Sequence, residues 1–175
     1  MSGSPPPSML AGVRPASAGP QPHWGRRAGL GILLVVVLLG AFGALGVHSR
    51  TTTSSSNGYT LSVTYPQVAR AGLDTPWRAR VHRAGGVNTD LTLAVSSAYF
   101  RMFETQGFYP NPDSATNDGD YVYMRFTNLR PGGDFVLEYD AYIQPASQIG
   151  KSGTVRLLVG GQEVARTSFH TWLVP

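Results

Sequence analysis

Residues 111–120, NPDSATNDGD, bring Asn111, Asp113, Asn117, Asp118 and Asp120 into one short segment, and clustered hard oxygen donors are what calcium prefers. The spacing completes no known calcium loop, and Asp, Asn, Gly and Pro are equally the residues of an ordinary turn. Asp113, Asp118 and Asp120 are therefore metal candidates on composition alone. A second stretch, YFRMFETQGFYPNP at 99–112, breaks the two-residue period, so its aromatic side chains cannot all face one core. Tyr99, Phe103, Phe108 and Tyr109 are candidates for an exposed partner-binding patch, the competing assignment being core and cap packing.

Other chemistries lack their residues. Gly150-Lys151-Ser152 has the ending of a phosphate-binding loop, but position 145 is Pro where that loop needs Gly, and the following TVRLLV reads as a strand. A turn with one exposed lysine accounts for it. Cysteine is absent, which removes disulfides, thiolate zinc sites, cysteine nucleophiles and lipidation through cysteine. His82 and His170 are too few for a zinc site without several carboxylates. No G-x-S-x-G elbow occurs, so the chain is expected to be no enzyme and to use no cofactor.

The net charge is +4 and the pI near 9.7, but the charge is unevenly placed. Arg14, Arg26, Arg27 and Arg50 lie in the first 50 residues, and no acidic residue precedes Asp74. Residues 51–175 hold ten basic and ten acidic groups and sum to zero. A nucleic-acid partner needs a clustered cationic surface, and none is expected here.

The basic start belongs instead to a targeting segment. From Ala28 to Val47 the chain has no charged, amide or hydroxyl side chain. A helix of that length spans about 30 Å, the thickness of a bilayer's hydrocarbon core. The long region before it favours a permanent anchor over a cleaved leader, although Ala44-Leu45-Gly46 offers small residues at a cleavage spacing. The arginines preceding the run place the N-terminus in the cytoplasm and the rest of the chain outside it. Gly40 and Ala44, four apart, could let another helix approach closely, though glycine is common in membrane helices.

These segments give four regions: a Pro-rich disordered cytoplasmic tail at 1–25, a transmembrane helix with flanks at 26–50 (core 28–47), a polar linker at 51–58, and a β domain at 59–175. From Tyr59 onward apolar residues alternate with polar ones. Leu61, Val63 and Tyr65 share one face, then Trp77, Ala79 and Val81, Leu91, Leu93 and Val95, Val122, Met124 and Phe126, and Phe135, Leu137, Tyr139, Ala141 and Ile143. TVRLLV and QEVARTSFHTW follow, separated by Gly160-Gly161, a tight hairpin signal. About seven strands in an all-β domain of this size predict a two-sheet Greek-key sandwich.

The ordered features V-T-Y-P, W-x-A-x-V-x-x-A-G-G, D-L-T-L-A-V, N-L-R-P-G-G-D-F and a closing hairpin ending in V-P resemble the immunoglobulin-like modules of bacterial envelope proteins, akin to the cell-adhesion-related domain found in bacteria. The resemblance covers residues 59–175 and lacks the cysteine pair of antibody domains. It implies an adhesive, spacer or assembly role. The expected function is thus a single-pass protein of the cell membrane whose extracytoplasmic domain binds or scaffolds an envelope or membrane protein. The alternative is an exported module that binds carbohydrate or another extracellular ligand through its aromatics.

Overall fold

The structure is a computed structural model and describes residues 23–41 and 47–174. Contacts divide the chain into two units, Met1–Leu45 and Gly46–Pro175.

The described part of the first unit is one helix, α1 (His23–Ala41). Its window Trp24–Ala41 has a mean hydropathy of 1.6 and none of it is buried, so the helix is long and apolar enough to cross a membrane. It begins before Arg26, earlier than expected. The far end of the 26–50 segment differs more, because His48, Ser49 and Arg50 belong to a strand. The Pro-rich tail as far as residue 22 and the Gly40/Ala44 helix face with its cleavage spacing fall wholly or partly outside the described residues.

The second unit is all-β, and the described residues form eleven strands in two sheets rather than about seven. The first sheet runs β1-β2-β3-β8-β5, with β1 (His48–Ser56), β2 (Tyr59–Arg70), β3 (Asp74–Arg83), β8 (Phe135–Ile143) and β5 (Phe103–Tyr109). A short β11 (Trp172–Val174) pairs in parallel with the end of β2. The second sheet runs β10-β9-β4-β7-β6, with β10 (Gln162–His170), β9 (Ser152–Val159), β4 (Leu91–Ser96), β7 (Tyr121–Phe126) and β6 (Ser114–Asn117). One helical turn, α2 (Ser97–Phe100), follows β4.

The seven strands with alternating apolar residues are β2, β3, β4, β7, β8, β9 and β10, and their inward residues form one core centred on Leu61, Trp77, Leu93, Met124, Leu137 and Leu157. Strand β3 alternates without a break, Trp77, Ala79 and Val81 buried and Arg78, Arg80 and His82 exposed. Such alternation is what a sheet with one face on a core and one in water requires.

The polar linker expected at 51–58 is mostly β1. It pairs with β2 from Ser56↔Tyr59 back to His48↔Val68, joined by a turn in which Asn57 and Gly58 both take positive φ, 51° and 75°. A two-residue turn of that kind matches the twist of the flanking strands. Having almost no apolar side chains, β1 is held by backbone pairing and by hydroxyl pairs across to β2. Thr51 Oγ1 lies 2.8 Å from Thr64 Oγ1, Thr53 Oγ1 3.0 Å from Ser62 Oγ, and Ser55 Oγ 2.9 Å from Thr60 Oγ1. On the other face Thr52 Oγ1 meets Thr167 Oγ1 of β10 at 3.0 Å, so β1 also touches the second sheet.

Candidate functional site

The aromatic stretch 99–109 is divided by the fold between three environments. Ser97 N donates to the Asp120 carbonyl at 2.8 Å, and the α2 turn that follows carries Tyr99 into the core, where it is fully buried. Its ring meets Phe169 edge-on at 5.0 Å and Phe103 at 5.2 Å, and Phe103 is buried as well. Tyr99 and Phe103 are therefore corrected from partner-binding candidates to core residues. Phe100 and Phe108 lie at the boundary. Phe100 touches Trp77 and Tyr139 at 5.9 and 5.2 Å, and Phe108 stacks on Tyr139 at 4.7 Å with 24° between the rings.

Tyr109 alone stands out in water, 77% exposed. The register explains the difference. Strand β5 has a bulge between Thr105 and Phe108, after which Phe108 pairs with inward-facing Tyr139 and Tyr109 with outward-facing Glu138. The extra residue breaks the period that the sequence shows elsewhere. It also delivers Tyr109 to the outer face of the first sheet.

On that face the register aligns one row across five strands: Thr51, Thr64, Arg78, Glu138 and Tyr109. Arg78 and Glu138 form an ion pair at 2.6 Å with both side chains about half exposed. Beside this row is a groove of about 750 Å³ lined by residues that include Asp74, Arg78, Phe108, Tyr109, Glu138 and Asp140. Trp77 also lines it and buries its Nε1–H without a hydrogen-bond partner among the described residues. The groove thus combines one projecting aromatic side chain, an aromatic wall and a charged floor of both signs.

The calcium candidates do not converge. Asp113 and Asp118 flank the two ends of β6, roughly 15 Å apart along the strand. Asp113 Oδ2 accepts Thr127 N–H at 2.6 Å and the Thr127 hydroxyl at 2.9 Å. Asp118 Oδ1 accepts the backbone N–H groups of Asp120 and Tyr121 at 3.0 and 2.7 Å. The Tyr121 bond, together with a bond from the Tyr123 hydroxyl, holds the Asp118 carboxyl below the usual carboxylate range. Asp120 remains beside Asp118 in the β6–β7 turn without forming a cage. Among the described residues no group of three His, Cys, Asp or Glu is placed to hold a metal ion. The oxygen-rich segment is a hairpin whose carboxylates tie down its own backbone.

Gly150-Lys151-Ser152 leads into β9 with Lys151 exposed. His82 Nδ1 meets Asp134 Oδ1 at 2.6 Å on the outer face, and His170 Nδ1 meets Ser152 Oγ at 2.9 Å. Sequence reasoning passed over the row beside Tyr109, because register cannot be read from one strand at a time.

No family model matches the chain, and no curated protein matches it. Among solved structures it is similar to Pseudomonas fluorescens alkylpurine DNA glycosylase AlkC bound to DNA containing an abasic site analog, at 12% identity and a TM-score of 0.32. The alignment covers 75% of this chain and 32% of that one, so the chain spans about a third of the glycosylase. This match runs against two expectations, that the chain is no enzyme and that nucleic acid is excluded as a partner. The neighbour is an enzyme and its structure holds DNA, so neither exclusion is kept, and neither an enzyme activity nor a partner is established for this chain. A likeness of this size transfers neither that activity nor that ligand to the present chain.

Proposed function

We propose that the chain is a single-pass membrane protein with a cytoplasmic N-terminus, and that its extracytoplasmic, immunoglobulin-like sandwich serves as a protein-binding module of the cell envelope. The observation that carries the binding role is Tyr109, held over a groove between Phe108 and the Arg78–Glu138 pair. A projecting tyrosine ringed by polar groups is the usual form of an interface anchor. The anchor reading is supported by the apolar helix and by the arginines that precede it.

The immunoglobulin-like reading is supported by strand order. The series β2-β3-β8-β5 parallels the A-B-E-D sheet of that fold, and β10-β9-β4-β7 parallels G-F-C-C′. The chain departs from it by visiting β5 before β7, by carrying β6 on the outer edge, and by adding β1 and β11.

Two measurements test the proposal. Because the protein has no cysteine, Ser55→Cys and Ser8→Cys variants each carry one label site. In intact cells a membrane-impermeant maleimide should label position 55 and not position 8; the reverse pattern would overturn the topology. A photo-crosslinking residue at position 109 should then give a discrete adduct with another protein. Absence of an adduct, with soluble glycans shifting the fluorescence of the groove, would favour the carbohydrate-binding alternative, which the carboxylates of Asp74, Glu138 and Asp140 beside an aromatic ring also suit.

A further inference from the structure

One end of the sandwich carries several exposed apolar side chains. Ile149 is 76% exposed and Trp172 61%, and Leu73 and Val174 are exposed as well. Leu73, Pro145, Leu173 and Val174 help to line a cleft of about 690 Å³ between the β2–β3 turn, the β8–β9 loop and β11. Gly150 packs against the backbone of Thr171 and Trp172, which brings Ile149 beside the same patch. Four exposed large apolar side chains at one end call for an occupant.

The chain's own connectivity names it. The uncharged apolar run continues to Val47, and His48 is already paired with Val68 at the start of β1. Trp172 pairs with that same Val68. If His48 and Trp172 flank one residue of β2, they stand about 10 Å apart, two strand spacings. No polar spacer separates the apolar run from the first strand. The end of the sandwich where the chain enters is therefore the end that carries Trp172, Ile149 and Leu73.

We infer that this apolar end rests on the lipid surface of the membrane that α1 spans, with Trp172 and Ile149 inserted at the headgroup boundary. The inference rests on the membrane-spanning reading given above. Tryptophan favours that depth because its ring is apolar and its N–H can still reach water or headgroups. Charge is mixed at this end: Arg70 lines the cleft and Lys151 and Arg50 lie near the entry point, whereas Asp74 begins β3 and Glu104 lies in β5. The contact is accordingly one of apolar insertion, as in interfacial helices, and zwitterionic lipid should suffice for it.

The test uses the full chain in phosphatidylcholine nanodiscs, in a Trp24→Phe background that removes the tryptophan of α1. Two tryptophans then remain, Trp77 in the core and Trp172 at the patch. Lipid brominated near the headgroup should reduce emission about twofold. The reduction should vanish in Trp24→Phe/Trp172→Phe, and should fall sharply in Trp24→Phe/Ile149→Asp/Leu73→Asp with the circular dichroism unchanged. Emission that bromine leaves alone and aqueous iodide quenches would overturn the inference by placing the patch in water. Protection from both quenchers would overturn it in favour of a second copy or another protein as the cover. Extraction of the chain by alkaline carbonate would overturn the spanning reading and the inference together, whereas a carbonate-resistant chain with unquenched Trp172 overturns the inference alone.

Discussion

The Tyr99 hydroxyl lies 3.0 Å from Thr171 Oγ1, and Thr171 Oγ1 lies 2.6 Å from the Pro66 carbonyl, all inside the sandwich. The Thr171 hydroxyl has one proton and gives it to Pro66, so Tyr99 must donate to Thr171. The relay ties the α2 turn, the residue before β11 and the bend of β2 at Pro66. Tyr99→Phe should remove one donor and cost about 1 kcal/mol. Thr171→Val should leave both Tyr99 and the Pro66 carbonyl unpaired and cost about 2–3 kcal/mol. Urea midpoints of the full chain in detergent measure both; equal effects would contradict the relay.

Alkali should act through the same tyrosine. Burial pushes the Tyr99 phenol far above its ordinary value. Above about pH 10 the unfolded chain releases this proton while the folded chain retains it, so stability is full below pH 10 and falls as pH rises. The loss should approach about 1.4 kcal/mol per pH unit and be absent in Tyr99→Phe. Urea unfolding at pH 9 and pH 11 gives the comparison.

The β6–β7 turn should show the opposite behaviour at an exposed site. The hydrogen bond to Asp118 holds the Tyr123 phenol above its ordinary value, while the backbone donors hold Asp118 low. What Asp118 contributes is present above the ordinary carboxylate range and is lost as pH falls through its lowered value. Asp118→Asn should move the Tyr123 titration back down, as read by phenolate absorbance with Tyr123→Phe as reference.

Gly153 should tolerate no side chain. A Cβ there would lie 2.5 Å from the Phe169 ring and 3.0 Å from Tyr99. Gly153→Ala should displace one ring and cost about 1–3 kcal/mol, a fall in melting temperature of several degrees.

Phe108 and Tyr109, adjacent in sequence, should separate stability from recognition. Phe108→Ala loses its stack on Tyr139 and should cost about 2 kcal/mol. Tyr109→Ala should leave the melting temperature within about one degree and abolish the adduct formed at the groove, scored with the crosslinker moved to a neighbouring outer-face position such as Thr64.

Legibility followed the source of each strand's stability. Where burial of one face dominates, as in β3 with Trp77, Ala79 and Val81, alternation in the sequence marks the strand and its inner side. Four strands escaped that signal. Strand β1 buries almost nothing and is held by hydroxyl pairs such as Thr51–Thr64, so its composition looks like a linker; the Asn57-Gly58 dipeptide was the available sign of a hairpin. In β5 the bulge before Phe108 scrambles the period. Strand β6 is exposed throughout, and β11 is three residues long, held by pairing with distant β2. The groove beside Tyr109 depends on the register of five strands, which no local pattern encodes.

The hydroxyl-bearing strand β1 has a mechanical consequence. Its nine residues join α1's segment to the sandwich, and they enter the sheet at His48 rather than trailing from it. Tension applied at His48 along the strand axis acts on β1 against its antiparallel neighbour β2. The cross-strand bonds are then loaded together in shear instead of being opened one at a time. The same segment that looks like a slack tether by composition is a strand bonded along its whole length to its neighbour.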